Sequence, residues 1–300
     1  MMTRRTLLST AAAASCMQMP LARAGNTWKM RAGFAACMFT GMSPGDAKVA
    51  ANVYVKRIAE DVGCDYEATV FDDTALFIKT ISEEQLDFVM ISTLDFLRHE
   101  KEINLDPFLV VERGDEPEEI YEVKVRKDSG IKDLADLKDK SLLFDSRKDL
   151  EMPQMWLNQE LRKKGLPRLD VLCKPEYPQA VSQAVLPVFF GKKDACLVAQ
   201  ALFDTVSELN PQVSQRLVTL AKSEPLQSSL ICLRKGYMEQ KRGIIVQTAT
   251  ALQGTPAGQQ LLLLTRARRL SKFRPGLLDN VKKLLANEAP ADTTPADPNL

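Results

Sequence analysis

Residues 125–144, VRKDSGIKDLADLKDKSLLF, decide how this chain is organised. Just before them, Tyr121 to Val125 alternates apolar and charged side chains, the pattern of a half-buried strand. Asp128-Ser129-Gly130 breaks that pattern, as a cluster of turn-forming residues does. Leu134 and Leu137 are spaced to share one face of a short helix. Lys138-Asp139-Lys140 turns the chain again, and the apolar run Leu142-Leu143-Phe144 reads as a buried strand. Strand, helix and strand in so short a span imply an α/β sheet.

The alternation continues in both directions. Upstream, residues 30–35, 66–71, 86–91 and 107–111 read as strands. Ser43-Pro44-Gly45-Asp46 predicts a helix start, with Ser43 as N-cap, Pro44 at the first helical position and Asp46 at the third. That helix runs to about residue 62 and stops at Gly63. Asp73 caps a second helix, and Ser92-Thr93-Leu94-Asp95 repeats the capping pattern and opens a third. Downstream, residues 156–164 and 202–209 read as helices and residues 169–173 and 194–198 as strands. Residues 177–190 are mostly helical, with Pro187 expected to kink or end the helix. Residues 217–221 and 230–233 carry the chain back, and helices follow at 238–252, 256–264 and 276–286. Residues 287–300, rich in Pro, Ala, Asp and Thr, read as a flexible tail.

The chain has 300 residues, which suit one large domain or two small lobes, and 45% of them are hydrophobic, ample for a packed core. Its net charge of +1 provides no field to attract nucleic acid or a membrane surface. Residues 1–24 read as an export signal. Arg4 and Arg5 form a basic start, residues 7–14 a short apolar run, and Ala22-Arg23-Ala24 a small-x-small cleavage site that would leave Gly25 first. The paired arginines before Thr-Leu-Leu resemble a twin-arginine signal, the alternative being an ordinary Sec signal. Removing the leader, which holds Arg4, Arg5, Arg23 and no acid, leaves an expected charge of about −2. Cys16 follows a poor lipobox. Beyond it stand Cys37, Cys64, Cys173, Cys196 and Cys232, an odd set with no zinc spacing and no CxxC. A Cys196–Cys232 bridge is open if the strands bring them together, but buried thiols are the simpler reading.

Three loops follow strand ends and precede helix starts, where unpaired N–H groups and the helix dipole favour anions. They hold Thr40, Gly41 and Ser43; Ser92 and Thr93; and Ser146 and Arg147. Ligands of open α/β sheets bind beyond the carboxyl ends of strands. Ser43 and Ser92 are as well explained as caps alone. Phe39 and Phe71 either line a cleft or fill the core. His99, the only histidine, lies among Arg98, Glu100 and Lys101 and reads as solvated. Arg266, Arg268 and Arg269 read as a solvated helix end or a small docking surface. No nucleophile, metal, P-loop or dinucleotide motif is present, so no catalytic role and no cofactor is expected.

The stretch from Val125 to Phe144 resembles the start of the second lobe of type II periplasmic substrate-binding proteins. Three segments, GFAACMFTGMSPGDAK, FDDT and LDFVMISTLDF, resemble the phosphate and phosphonate group of that class. So do SQAVLPVFFGKKDACLV and SEPLQSSLICLRKG in the second lobe and return segment. The resemblance implies two α/β lobes, lobe I at 25–120 and 222–286 and lobe II at 121–221, joined by two hinge crossovers and closing on a small anion. It implies a periplasmic, monomeric protein serving an ABC permease in the inner membrane, or a sensor for a membrane kinase or cyclase. Thr40, Ser43, Ser92 and Thr93 would hold the ligand from lobe I, and Ser146, Arg147 and Gln183 from lobe II. The chain departs from the group at Asp145-Ser146-Arg147-Lys148, where a run of Ser, Thr and Gly is usual. It has Ser182-Gln183 for a Ser–His pair, and Ala199-Gln200 where some members place an acid for a ligand amine. An aminoalkylphosphonate is therefore not the expected ligand.

Overall fold

The computed structural model describes residues 28–39, 42–145, 151–264 and 267–288. Strands and helices alternate through the first third of the chain: β1 (Lys29–Ala35), α1 (Pro44–Val62), β2 (Asp65–Phe71), α2 (Thr74–Ser82), β3 (Phe88–Ser92), α3 (Thr93–Arg98) and β4 (Leu105–Glu112). The middle third contributes β5 (Tyr121–Arg126), β6 (Ser141–Phe144), α4 (Glu151–Lys163), α5 (Leu169–Leu172), β7 (Lys174–Glu176), α6 (Val181–Phe189), β8 (Ala195–Ala199), α7 (Gln200–Leu209), α8 (Pro211–Arg216) and β9 (Leu217–Lys222). The last third returns with β10 (Ser229–Arg234), α9 (Arg242–Ala251), α10 (Pro256–Leu264), β11 (Arg269–Lys272) and α11 (Asp279–Ala286).

Two sheets result. One has six strands in the order β11-β4-β10-β3-β1-β2, the other five in the order β7-β6-β8-β5-β9. In the first, β1 runs parallel to β2 and β3, while β10 is antiparallel to β3 and β4. In the second, β6 runs parallel to β7 and β8, while β5 is antiparallel to β8 and β9. This is the two-lobed α/β architecture the resemblance implied. The strand period shows how the second sheet is covered: Leu142 and Phe144 enter one core with Trp156 and Leu157, and Leu143 enters the other with Val185 and Val188.

Local signals hold where they are strong. Ser43 caps α1, its Oγ accepting from the Asp46 N–H, and Gly63 ends that helix in the left-handed region at φ 72°. Asp73 caps α2 by accepting from the Leu76 N–H. Three expectations need correction. Residues 169–173 are not a strand: Leu169 and Leu172, three apart and both buried, form the helix α5, and the strand is displaced to β7. Pro187 does not end α6 at its own position, for the helix continues to Phe189. Arg268 and Arg269 do not end a helix. Arg269 opens the edge strand β11 and pairs with the buried Glu112 of β4, while Arg268 pairs with Asp115. Arg266 lies outside the described residues, as do the export signal, Cys16 and the tail beyond residue 288.

Two crossovers join the lobes, residues 113–120 between β4 and β5 and residues 223–228 between β9 and β10. They run together as a short antiparallel pair. Glu119 and Leu226 exchange N–H···O bonds of 2.8 Å each, and the Tyr121 N–H donates to Ser223 Oγ at 2.8 Å. The helix α11 straps this hinge. Its Val281 and Leu284 pack in the core that holds Trp156 of lobe II and Leu94 of α3, and Asn280 Nδ2 donates to Pro225 O at 3.0 Å.

None of the described cysteines forms a disulfide. Cys196 and Cys232 sit in β8 and β10, in different sheets, so the bridge left open by the sequence does not form. Burial pushes the Cys173 thiol up to about 11, and it raises Cys196 and Cys232 as well. They are thiols at neutral pH and poor nucleophiles.

Candidate functional site

A cavity of about 380 Å³ lies between the sheets. Its walls are the ends of strands. Lobe I contributes Ala35 and residues 36–38 after β1, Phe71 and Asp72 after β2, and Ser92 at the end of β3. Lobe II contributes Asp145 after β6 and Ala199 at the end of β8. Tyr121 and Ser228 stand at the starts of the antiparallel strands β5 and β10, which puts them on the same edges. The cavity therefore opens on the carboxyl ends of the parallel strands in both lobes, where α/β sheets place their ligands.

Helix starts converge there too. The first turn of α2 brings Thr74, that of α3 Leu94 and Asp95, that of α4 Glu151, Met152 and Pro153, and that of α7 Leu202. Ala199, which precedes α7, offers no side-chain cap.

The ionisable lining comprises Asp72, Asp95, Glu119, Asp145, Glu151, Arg98, Arg113 and His99. Arg98 crosses the cleft from lobe I, its Nη1 2.5 Å from Glu151 of α4, and its Nη2 is 2.9 Å from Glu288. Arg113 Nη1 donates to Glu119 Oε1 at 2.7 Å and to Ser228 Oγ at 2.9 Å. Ser228 Oγ donates to Glu119 Oε1 at 2.7 Å, and the Tyr121 hydroxyl donates to Glu119 Oε2 at 3.1 Å. Burial, then the nearby Glu119 charge, hold the Tyr121 hydroxyl well above its ordinary range, so it stays a donor. Asp145 is buried, and its Oδ2 accepts from the Ala199 N–H at 2.7 Å, tying the ends of β6 and β8 together.

The sequence-predicted residues divide. Phe71 and Ser92 line the cavity. Ser92 also caps α3: its Oγ accepts from the Asp95 N–H at 3.0 Å and donates to Asp95 Oδ2 at 2.6 Å. Thr93 is fully buried beside it. Its N–H donates to Ser228 O at 3.0 Å, while its Oγ1 has no hydrogen-bond partner among the described residues. Ser43 repeats the Ser92 pattern with Asp46 but does not line the cavity. Gln183 is exposed on α6 and does not line it either. Thr40, Gly41, Ser146 and Arg147 lie outside the described residues. Phe39 is core, at 2% exposure. His99, read as solvated, stands on the cavity wall with Nδ1 3.1 Å from Glu102 Oε2.

Sequence reasoning missed Arg113, Glu119, Tyr121 and Ser228. Each lies in or beside a crossover; Tyr121 falls in a periodic pattern that marks a strand and not a site, and the other three have no cap, turn or periodic pattern to mark them. The one available signal was topological: chain passing between two lobes must cross the floor of the cleft.

The sequence matches the family described as ABC transporter, phosphonate, periplasmic substrate-binding protein over residues 38–279. No curated protein matches it in sequence. Among solved structures, it resembles PhnD1 from Prochlorococcus marinus in complex with methylphosphonate, with a TM-score of 0.60 at 12% identity over 88% of this chain and 100% of that one. It resembles a binding protein component of an ABC phosphonate transporter from Pseudomonas aeruginosa, with a TM-score of 0.57 at 13% identity over 86% of this chain and 85% of that one. The periplasmic aliphatic sulphonate binding protein SsuA from Escherichia coli gives a TM-score of 0.51 at 13% identity over 86% and 85%. At these identities the likeness is one of fold, the type II periplasmic binding protein fold.

Proposed function

The chain belongs to the family of periplasmic substrate-binding proteins of ABC phosphonate transporters, and from that premise we propose that its cleft captures one small oxyanion of the phosphonate and phosphate class. It then presents that ligand, as a monomer, to a permease in the inner membrane. The family is one of binding proteins, not enzymes. No helix among the described residues is long and apolar enough to cross a membrane. The leader read at residues 1–24 supports export of this chain to the periplasm.

One observation carries the ligand class: the cavity sits at the carboxyl ends of strands from both sheets, among the first turns of α2, α3, α4 and α7. Helix starts present unpaired N–H groups and partial positive charge, which suit a compact oxyanion. Phe71 and Ser92 are the proposed contacts from lobe I, with Thr93 buried beside Ser92 and not on the lining, and Thr40 and Gly41 next in sequence to the lining residues 36–38. Ser146 and Arg147 are proposed from lobe II, because Asp145 and Glu151 on either side of them line the cavity. The positions of Ser43 and Gln183 give them no such support.

A second reading has its own observation. The lining holds Asp72, Asp95, Glu119, Asp145 and Glu151, more carboxylates than guanidinium groups. These suit a ligand with a cationic group beside its oxyanion, which the sequence argued against from Ala199-Gln200 alone. A thermal-shift screen with methylphosphonate, phosphate, phosphite, sulfonates, carboxylates and aminoalkylphosphonates separates the readings. A ligand at 100 times its Kd adds about 2.7 kcal/mol of stability. A larger shift with a simple oxyanion than with the aminoalkylphosphonates is expected, the reverse order favours the second reading, and no shift with any of them contradicts the proposal.

A further inference from the structure

At the cavity floor, where the crossovers meet, one carboxylate is surrounded by donors. Glu119 receives Arg113 at 2.7 Å and Ser228 at 2.7 Å on Oε1, and Tyr121 at 3.1 Å on Oε2. All four side chains line the cavity. The Arg113 and Glu119 side chains are only 16% and 14% exposed, so their charges meet with little water between them. A guanidinium and two hydroxyls aimed at carboxylate oxygens also make a receptor for a ligand oxyanion.

We infer that Arg113, Ser228 and Tyr121 form an anion subsite at the hinge, that Glu119 occupies it as an internal competitor, and that the ligand oxyanion displaces Glu119 from Arg113. This rests on the oxyanion reading above. The chemistry is an exchange of one anion for another on the same donors, with no bond made or broken. Only ligands that can match a carboxylate's hydrogen bonds to all three donors bind well, so Arg113 is a specificity-determining residue. The exchange also acts on the hinge, because the Glu119 side chain joins the first crossover to Ser228 of the second, beside the backbone pair that Glu119 makes with Leu226.

A structural clasp and a competed subsite predict different signs. For a clasp, removing either charge disturbs the same contact and shifts ligand affinity in the same direction. For a competed subsite, Glu119→Gln removes the rival charge and raises affinity, whereas Arg113→Gln removes the receptor and lowers it. Calorimetric titration with methylphosphonate, phosphate and ethanesulfonate reads both variants, with the melting temperature of each protein without ligand confirming that it folds. The Glu119→Gln variant is expected to bind the best of these probes at least about tenfold more tightly. The Arg113→Gln variant is expected to bind it at least about tenfold more weakly, the scale of one hydrogen bond to a charged group. Arg113→Lys should recover part of the loss, and it serves in place of Arg113→Gln if the latter does not fold, with affinity then below wild type. Shifts of the same sign in the two charge-removing variants overturn the inference while leaving the oxyanion reading intact. Weaker binding by Glu119→Gln overturns it too, since Glu119 would then be a ligand contact. If no probe binds to wild type or to Glu119→Gln, both the inference and the reading beneath it fall.

Discussion

Each lobe has an aspartate at the amino end of a central parallel strand, Asp87 before β3 and Asp194 before β8. In lobe I the partner across the sheet is Arg31 of β1, whose N–H donates to Asp87 Oδ2 at 3.1 Å. In lobe II it is Ser141 of β6, whose N–H donates to Asp194 Oδ2 at 2.9 Å. From the same backbone contact the lobes diverge. Asp87 is 1% exposed and is gripped by the guanidinium groups of both Arg31 and Arg234. Asp194 stays partly exposed and relies on the Ser141 hydroxyl at 2.8 Å. The walls of the cleft diverge as well. Lobe I supplies Arg98 and His99 beside Asp72 and Asp95, and Arg113 follows its strand β4; the described part of the lobe II wall offers Asp145 and Glu151 beside Met152, Pro153, Ala199 and Leu202. Lobe I is thus the charged partner at both ends of its sheet, and its arginines reach carboxylates on the crossover and on lobe II. Under the proposed function, this contrast predicts that an anion meets the lobe I side first, with closure joining it to lobe II.

The sharpest break of this comparison is Asp87→Ala. It strands two arginines on a buried site and is expected to cost about 3 kcal/mol, read by urea unfolding, as breaking buried charge pairs does. Asp194→Ala removes hydrogen bonds to one serine at a partly wet site, and about 1 kcal/mol is expected. Equal costs would mean that the lobes are anchored alike. Acid separates them further. Burial opposes ionisation of Asp87, but the hydrogen bonds from Arg31 and Arg234 outweigh it and hold the carboxyl below its ordinary value. A depressed carboxyl stabilises the fold fully above the unfolded pKa of about 3.9, and that stability drains away as pH falls through the folded value. The melting-temperature gap between wild type and Asp87→Asn should therefore be constant near neutrality and narrow below about pH 4. A gap that persists in acid would show that the ionised form of Asp87 is not what anchors lobe I.

Two smaller changes test the cleft. Ser92→Ala loses the α3 cap and should cost about 1 kcal/mol of stability. Thr93→Val keeps the shape and removes a hydroxyl that is buried and unpartnered among the described residues, so the melting temperature should hold or rise. If that hydroxyl serves the ligand, affinity falls while stability does not. Unchanged affinity removes Thr93 from the site. Arg98→Gln breaks the bridge to Glu151, a pair open to solvent, and less than about 1 kcal/mol is expected in stability. A faster ligand off-rate in stopped-flow is the expected signature of a contact that spans the cleft.

The parts of this structure legible in the sequence are those written by neighbours along the chain. Ser43, Asp73 and Ser92 announced their helices because a cap bonds to a backbone group two or three residues on. The cap also engages the side chain of Ser92 further, its hydroxyl donating to Asp95 Oδ2. The residues that sequence reasoning missed meet through the crossovers: Glu119 binds Arg113 and Tyr121 nearby along the chain, but Ser228 joins them only across the hinge. Arg113 meets Ser228 across 115 positions and Arg98 meets Glu288 across 190. Only the pairing of the crossovers brings the first pair together, and no local pattern encodes it. The helix α5 was misread for a related reason: Leu169, Val171 and Cys173 alternate as a strand would, and burial of Leu172 beside Leu169 tips the balance.

The central claim is that this cleft closes on an oxyanion, and titration of the wild-type chain with methylphosphonate in a calorimeter tests it most directly. A handful of hydrogen bonds to a charged group, each contributing about 1.5–3 kcal/mol, predicts saturable 1:1 binding with a Kd on the order of micromolar or tighter. That binding should be at least about tenfold tighter in Glu119→Gln. No saturable heat at millimolar concentrations in either protein would contradict the account.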